Sequence, residues 1–511
     1  MSGPRTAPDS AKTPARMTAP ATGVTVRMYR QGLGDCFLLA FPCRGGGRPC
    51  YVLIDCGVLL GTEDAAEKMK KVAASLHEAT GGRIDVLVAT LEHWDHVSGF
   101  QQAKEIFDQI EIGQVWTAWT EDPNDPAAQR LRARRETSVR VLHAAAQGLR
   151  QGGDETSASS LESVLQFLGE LGADGRPFAI QQAMAYVLGR GNPPRYWHPG
   201  DRPALPGVGG ARVYVLGPPH EQGSARPGDS TSPGEGRLDS ETTFGVAALA
   251  AGSSLEEGEE ELKARSFPFD QDFRVPLEEA RQDRFFQASY FGVAGESSEK
   301  ELAWRRIETE WLTSASHLSL QLDSNTNNTS LALAIELVPS GKVLLFAADA
   351  QEGNWLSWHK LHWPREGARD SETGDPDFPS TPVTVAELLH RTVLYKVGHH
   401  ASHNATLEAG GLELMTNPEL VAMIPVDEAM AHKPKGGSPN GWDMPFAPLL
   451  QSLQEKAKGR VLRADSGAPP QSPRLSPEEW KAFEKRCTVT PDYVELTIAE
   501  NDPRPRRKKK A

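Results

Sequence analysis

Alternation and apolar runs divide the first half of the chain into strands, turns and a helix. Val24-Thr25-Val26-Arg27-Met28-Tyr29 alternates apolar and polar residues, Gln31-Gly32-Leu33-Gly34-Asp35 breaks the alternation, and Cys36 to Phe41 runs apolar again. That is the pattern of a strand, a glycine turn and a second strand. After Gly45-Gly46-Gly47, Tyr51 to Ile54 predicts a third strand, closed by Asp55-Cys56-Gly57. Glu63 to Ala79 has the spacing of an amphipathic helix and leads into Ile84 to Ala89, an apolar run long enough for a buried strand. Phe107 to Ala118 predicts the next strand, with a short helix before it, and Tyr186-Val187-Leu188 and Ala211 to Leu216 read as further strands.

Two interruptions separate these units. Asp122 to Gly152 is charged, alanine-rich and helical in pattern, and Ser157 to Leu171 continues it, which predicts a helical insertion over about 122–175. A second insertion covers about 221–315. In it Gln222 to Glu241 has the Ser, Gly and Pro content of a mobile loop, Leu255 to Arg265 is acidic, and Glu278 to Phe291 mixes Arg with Phe. A solvated flap is the plain reading of this segment, a lid or a protein-partner surface the others. The sheet pattern then resumes with a hairpin, Leu331 to Val338 and Lys342 to Ala350, turned at Pro339-Ser340-Gly341 and ending at Asp349. A strand at Leu394 to Val397, a strand at Leu420 to Pro425, a helix at Phe446 to Lys458, a short helix at Pro477 to Arg486 and a strand at Tyr493 to Ala499 complete the pattern.

Composition bounds the partners. The 511 residues can bury a large core, and 39% hydrophobic with 24% charged residues describes a soluble globular chain. A net charge of -13 argues against a broad basic face for wrapping nucleic acid, although a local basic groove is compatible with it. No stretch approaches the ~18 consecutive apolar residues of a membrane span, so no membrane partner is expected. Five cysteines without a C-x-x-C pair indicate neither a disulfide framework nor a zinc knuckle, which suits a cytoplasmic setting. Residues 1–22 read as a disordered leader, 23–470 as the main domain, and 471–511 as a C-terminal extension with a basic tail from Arg504 to Lys510.

Chemistry concentrates after the buried strand at Ile84 to Ala89, where His93, Asp95 and His96 fall within four residues. Two imidazoles and a carboxylate suit a divalent transition metal, zinc first and manganese or iron next. The plain alternative is a polar turn capping the following helix. A second cluster, His399, His400 and His403, follows the strand at Leu394 to Val397. Three histidines in five residues are hard to explain as packing.

The Leu91-to-His96 stretch resembles the H-x-[HD]-x-D-H signature of metallo-β-lactamase-fold hydrolases, with Leu91 where the first histidine stands. Four further segments resemble the competence-type DNA-uptake domains of that family: Gln31 to Phe37, Val52 to Gly57, Asn327 to Asp349, and Lys396 to Ser402. Gly459 to Asp465 is similar to the family's closing G-x-V-x-x-T-D, with Ala464 for threonine, and Met444-Pro445 replaces its H-P pair. The resemblance implies an α/β fold, the αββα metallo-β-lactamase sandwich, with helical and loop insertions. It implies one or two divalent metal ions, zinc most readily and manganese next. Asp95, His96 and one of His399 or His400 would hold one metal, with Asp349 bridging and His93 on the other. Asp349 could otherwise cap a helix starting near Glu352. Asp55 would orient the metal loop through hydrogen bonds. Because Leu91 can donate nothing, the second metal would be weaker and need a replacement such as His220, Glu92 or water.

The implied activity is metal-dependent hydrolysis by activated water, with Asp95 or Asp349 orienting the nucleophile and His403 a candidate proton donor. A phosphodiester, most readily nucleic acid, is the substrate that a bacterial nuclease-like chain would take, with Lys396, Lys433 and Lys435 supplying positive field. Hydrolysis of a small ester, amide or thioester is the alternative within enzymes. A catalytically degenerate interaction subunit, its insertions forming the partner surface, is the alternative outside them.

Overall fold

The computed structural model describes residues 16–151, 179–191, 193–220, 277–292, 326–364, 382–433 and 441–499, with isolated positions at 158, 159, 162, 165, 275 and 302. Their chain order begins with β1 (Gly23–Tyr29), β2 (Phe37–Phe41), β3 (Cys50–Ile54), α1 (Ala65–Thr80), β4 (Arg83–Val88), α2 (Trp94–Gln102), α3 (Lys104–Phe107) and β5 (Glu111–Ala118). It continues through α4 (Pro126–Gln151), α5 (Ala179–Gly189), β6 (Arg195–Trp197), β7 (Ala211–Val215), β8 (Leu333–Leu337) and β9 (Lys342–Phe346). A small ribbon, β10 (His362–Trp363) with β11 (Val383–Thr384), precedes β12 (Thr392–Lys396), β13 (Val421–Ile424), β14 (Val461–Arg463), β15 (Cys487–Val489) and β16 (Tyr493–Ala499).

The strands form two large mixed sheets, ordered β15-β16-β1-β2-β3-β4-β5-β6 and β14-β13-β12-β9-β8-β7. In the first, β1 to β3 are antiparallel neighbours and β3 to β6 run parallel. In the second, β7, β8 and β9 alternate in direction while β9, β12, β13 and β14 run parallel. The carboxyl ends of β3, β4, β5 and β6 therefore share one edge, as do those of β7, β9 and β12 in the other sheet.

One apolar cluster joins the inward faces of both sheets, including Val26, Phe37, Val86 and Trp116 from the first and Val213, Leu333, Leu344 and Met423 from the second. Phe37 meets Phe346 across it edge to face, centroids 5.7 Å apart. The opposite face of the first sheet packs on α1, α2 and α5 through Met69, Leu76, Val97, Phe100 and Ala183. The opposite face of the second packs on helices Glu352–Trp358, Val385–His390 and Ala447–Lys456, which supply Trp355, Trp358, Leu388, Leu389 and Leu453. Strands that are apolar on both sides, such as β3 and β4, are buried at nearly every position because both of their faces are covered. The architecture is thus mixed α/β, with helices outside two packed sheets. Among the described residues, no helix is long and apolar enough to cross a membrane.

Three expectations change. Tyr186-Val187-Leu188 is not a strand but the end of α5, whose Ile180, Ala183, Met184 and Val187 are buried at helical spacing. Residues 471–499 are not an appendage: β16 pairs antiparallel with β1 along its whole length, Gly23 opposite Ala499 and Tyr29 opposite Tyr493. Helix Pro477–Glu484, begun by a reciprocal Ser476–Glu479 capping box, puts Trp480 and Phe483 into the inter-sheet core. The leader's last residues are also ordered, since Met17 is 2% exposed, donates its N–H to the Ala79 carbonyl and accepts from the Tyr51 hydroxyl. Residues 1–15, Gln222 to Glu241, Leu255 to Arg265 and the basic tail lie outside the described residues, as does most of Ser157 to Leu171. From the second insertion, helix Leu277–Gln282 and the turns to Phe291 are described, with Phe285 62% exposed.

Candidate metal centre

The turn after β1, the end of β3 and the loop after β4 interlock through backbone. Asp35 donates its N–H to the Asp95 carbonyl at 3.0 Å, Cys56 to the His96 carbonyl at 2.8 Å, and Gly57 to the Asp35 carbonyl at 3.0 Å. Gly57 must lack a side chain: a Cβ there would sit 2.3 Å from the Asp95 carbonyl carbon. This contact seats the first turn of α2, which carries Asp95 and His96, on the end of β3. From the second sheet, the loop after β9 brings Asp349 and the loop after β12 brings His400. Asp55, Ala348, His399, His400 and Ala401 all have positive φ, between 42° and 64°. Non-glycine residues rarely hold this conformation, and a run of them marks a backbone constrained to aim side chains at one place.

Asp95, His96, Asp349 and His400 offer four donor atoms, all within 4.8 Å of one another. His400 Nε2 lies 2.7 Å from Asp95 Oδ2, and His96 Nε2 lies 3.1 Å from Asp349 Oδ2. The latter pair is close without the alignment of a hydrogen bond. Edges of this length suit a tetrahedral zinc-class site, where donors about 2.0–2.1 Å from an ion stand roughly 3.3 Å apart. Each imidazole is fixed from behind: His96 Nδ1 is 2.9 Å from Asp55 Oδ2, and His400 Nδ1 is 2.7 Å from the Pro425 carbonyl. Asp55 also accepts from the Thr90 N–H at 2.8 Å and its hydroxyl at 2.6 Å. Asp349 Oδ1 accepts from the His399 N–H at 3.0 Å, leaving Oδ2 for the centre. Partners of this kind set the imidazole tautomer, so that Nε2 presents its lone pair inward.

Charge makes the case more strongly than distance. Asp35, Asp55 and Asp349 are at most 2% exposed and Asp95 is 9% exposed. The buried cation among them is Lys396, which pairs with Asp35, lies 3.6 Å from Asp349 Oδ1 and donates to the Ala348 carbonyl. Four carboxylates against one ammonium leave an excess of three negative charges in a low-dielectric interior. Without protons or a cation this would be very costly. The titration directions express the same imbalance. Burial alone would lower His96 and His400, but the surrounding aspartates, Asp349 foremost for His96 and Asp95 for His400, hold both above the ordinary imidazole value. Burial, the largest single influence, would raise Asp95 and Asp349, yet the surrounding cationic groups together, His96 foremost with His400 at Asp95 and Lys396 at Asp349, hold both below the usual carboxylate range. A divalent cation would do the work of those imidazolium protons.

The other expected residues divide. His93 is buried and pushed down to about 4 by burial against the fields of Asp95 and Asp349, so it flanks the centre without joining the four-donor group. His399 turns aside, its Nδ1 held 2.8 Å from the Ser402 hydroxyl, so His400 is the ring that faces the centre. Asp349 does not cap the helix that starts at Glu352, whose N-cap is Gln351. His403 is exposed, its ring edge-on to Phe446 at 6.1 Å, and does not reach the cluster. Lys396 is 1% exposed and cannot offer its charge to a substrate phosphate, while Lys433 is exposed and Lys435 lies outside the described residues. Leu91 is buried apolar surface at 1% exposure. Glu92 is taken by Arg135 of α4, at 2.7 Å, which brings the first insertion onto the metal loop. His220 does not replace the missing histidine: it belongs to a separate group with Asp125 and His198.

Asp35 has no place at the site in the sequence reading, and Lys396, expected on the substrate side, stands instead behind the donors, paired with Asp35. Asp35 stands in the quoted glycine turn, where Gly32 and Gly34 take φ of 124° and 153°, so a backbone bent to bring its carboxylate inward was the available signal. A cavity of about 570 Å³ lined by Arg30, Gln31, Lys68, Asp427, Glu428 and His432 adjoins the supports of the centre. Gln31 there donates to the Gly34 and Gly57 carbonyls. Compared with known proteins, the chain matches no protein-family model and no curated protein.

Proposed function

We propose that the chain is a metal-dependent hydrolase with an αββα sandwich of the metallo-β-lactamase type. The observation that carries this reading is the convergence of Asp95, His96, Asp349 and His400 from two sheets, inside an interior with four carboxylates and one lysine. The ordered segments that resemble competence-type domains support the same reading, because most of the residues they single out, Asp55, Asp95, His96, Asp349 and His400, meet at one place, with His93 flanking it and His399 turned aside.

A bound divalent ion would supply water activation near neutral pH and polarisation of the bond under attack. The chain's own residues prepare the rest. Asp55 and the Pro425 carbonyl orient the two imidazoles, the His399 N–H orients Asp349, and Lys396 neutralises Asp35 behind the donors. Such a preset arrangement needs little reorganisation when charge develops on a substrate.

Phosphodiesters are the proposed substrate class, following the competence-type resemblance. With Lys396 buried, the positive field for a phosphate must come from the ion itself rather than from that lysine. The test is a panel of a chromogenic phosphodiester, single-stranded DNA, plasmid and chromogenic carboxyl esters, each with added zinc or manganese and with Asp95→Asn as control. Metal-dependent phosphodiester cleavage lost in Asp95→Asn is the expected result. Turnover confined to esters would move the substrate to that class, and turnover of neither would favour an interaction subunit.

A further inference from the structure

Outside the centre, a second mixed donor group stands at the same edge of the two sheets. Asp125 lies just before α4, His198 just after β6, the outer strand of the first sheet, and His220 after β7, the outer strand of the second. His220 Nε2 is 2.9 Å and His198 Nε2 4.0 Å from the same oxygen, Asp125 Oδ2, and the three ligand atoms lie within 4.8 Å of one another. These spacings bracket the roughly 3.3 Å edge of a tetrahedral zinc site.

The geometry points to a second metal site at Asp125, His198 and His220, for a zinc-class ion with at least one open position, clamping the start of α4 to the outer strands of both sheets.

Each donor is prepared for that role. Asp125 uses Oδ1 for the N–H groups of Ala127 and Ala128, at 2.6 and 3.0 Å, leaving Oδ2 directed at the histidines. His198 Nδ1 is 3.9 Å from Asp201 Oδ2, which is itself held by the His198 N–H at 2.8 Å. At that distance the carboxylate makes no hydrogen bond to the ring, but its charge favours a proton on Nδ1 and leaves Nε2 toward Asp125. Trp119 floors the group, stacked near-parallel on His198 with centroids 6.4 Å apart and edge-on to His220 at 4.4 Å, its own N–H bound to the Pro218 carbonyl. Side-chain exposures of 42% for His198 and 43% for His220 against 13% for Asp125 leave an ion there reachable by solvent and exchangeable. Two nitrogens and one oxygen favour zinc over calcium or magnesium, which take oxygen cages. The clamp bears on the first centre through α4, since Arg135 of that helix holds both the carboxylate and the carbonyl of Glu92 beside His93.

The experiment is a calorimetric zinc titration of chelator-stripped full-length protein, with bound zinc counted by plasma mass spectrometry. The parent is compared with His198→Ala, His220→Ala, Asp125→Asn and Asp349→Asn, and circular dichroism checks folding. Asparagine at 125 keeps the helix cap and removes the ligand charge, so it separates loss of metal from loss of α4. The expected result is one equivalent fewer in each histidine variant, at least tenfold weaker binding in Asp125→Asn, and retention of that equivalent in Asp349→Asn. Cobalt bound in place of zinc should quench Trp119 fluorescence in the parent and not in His198→Ala. Unchanged stoichiometry and affinity in the three site variants would overturn the proposal and leave a His220–Asp125 hydrogen bond, with His198 beside it, at the start of α4.

Discussion

Replacing Asp55 by Asn isolates the orienting role that separates a metal centre from a chance cluster. Asp55 is fully buried, and its carboxylate accepts from Thr90 N–H at 2.8 Å, Thr90 Oγ1 at 2.6 Å and faces His96 Nδ1 at 2.9 Å. Asparagine adopts positive φ readily, so the 56° at this position adds no backbone penalty that would confuse the result. Its amide can keep the bond from Thr90 N–H, but the NH₂ group cannot accept from His96. The ring then either loses its support or moves its proton to Nε2, the atom that faces Asp349 Oδ2. Loss of such a support typically weakens metal binding 10–100-fold, about 1.4–2.8 kcal/mol. The assay is competition for zinc against a chromogenic chelator at pH 7, with Thr90→Val as a comparison that leaves the Asp55–His96 contact in place. A markedly larger effect in Asp55→Asn than in Thr90→Val is predicted. Zinc affinity within about twofold of the parent in Asp55→Asn would refute the orienting argument.

Other outcomes follow from the same geometry. His400→Ala should remove the metal of the main centre while His399→Ala retains it, measured as bound zinc per chain, because His400 faces Asp95 and His399 turns to Ser402. Lys396→Met leaves Asp35 a buried charge without its ammonium and should cost about 3–5 kcal/mol in urea unfolding of metal-free protein; a loss below about 1 kcal/mol would contradict the buried-charge account. Glu121 is raised to about 7 by burial and by Glu92, above its ordinary value of 4.5. The folded chain therefore holds a proton there that the unfolded chain releases, and this contribution to stability falls as pH rises from about 4.5 to 7. Glu121→Gln should flatten the pH dependence of the unfolding midpoint across that window, and an unchanged slope would count against the assignment.

Local pattern revealed the strands and the loops at their ends because burial on both faces writes an apolar run and a metal loop writes an abrupt change of residue type. Ile84 to Ala89 followed by His93-Trp94-Asp95-His96 is legible for that reason. Tyr186 to Leu188 misled because three apolar residues fit either period; the helix declares itself through the buried Ile180, Ala183, Met184 and Val187. The place of β16 beside β1, with Thr25 opposite Thr497, depends on contacts between chain ends that no local window contains. The choice of His400 over His399 rests on consecutive left-handed backbone at both residues, which turns one ring inward and the other toward Ser402. Lys396 read as substrate-facing because lysine is usually exposed, and its burial is understandable once Asp35, Asp55, Asp95 and Asp349 are seen to share one interior. Asp125, His198 and His220 come from three separate loops with no common motif, so their meeting belongs to tertiary structure alone.

The most direct test of the central claim is metal content per chain, by plasma mass spectrometry, on protein purified without chelator and then offered zinc or manganese, beside an Asp95→Asn/Asp349→Asn variant whose folding is checked by circular dichroism. The account predicts at least one equivalent more in the parent than in the folded variant. Equal metal in both, or none in the parent, would contradict a metal centre at Asp95, His96, Asp349 and His400.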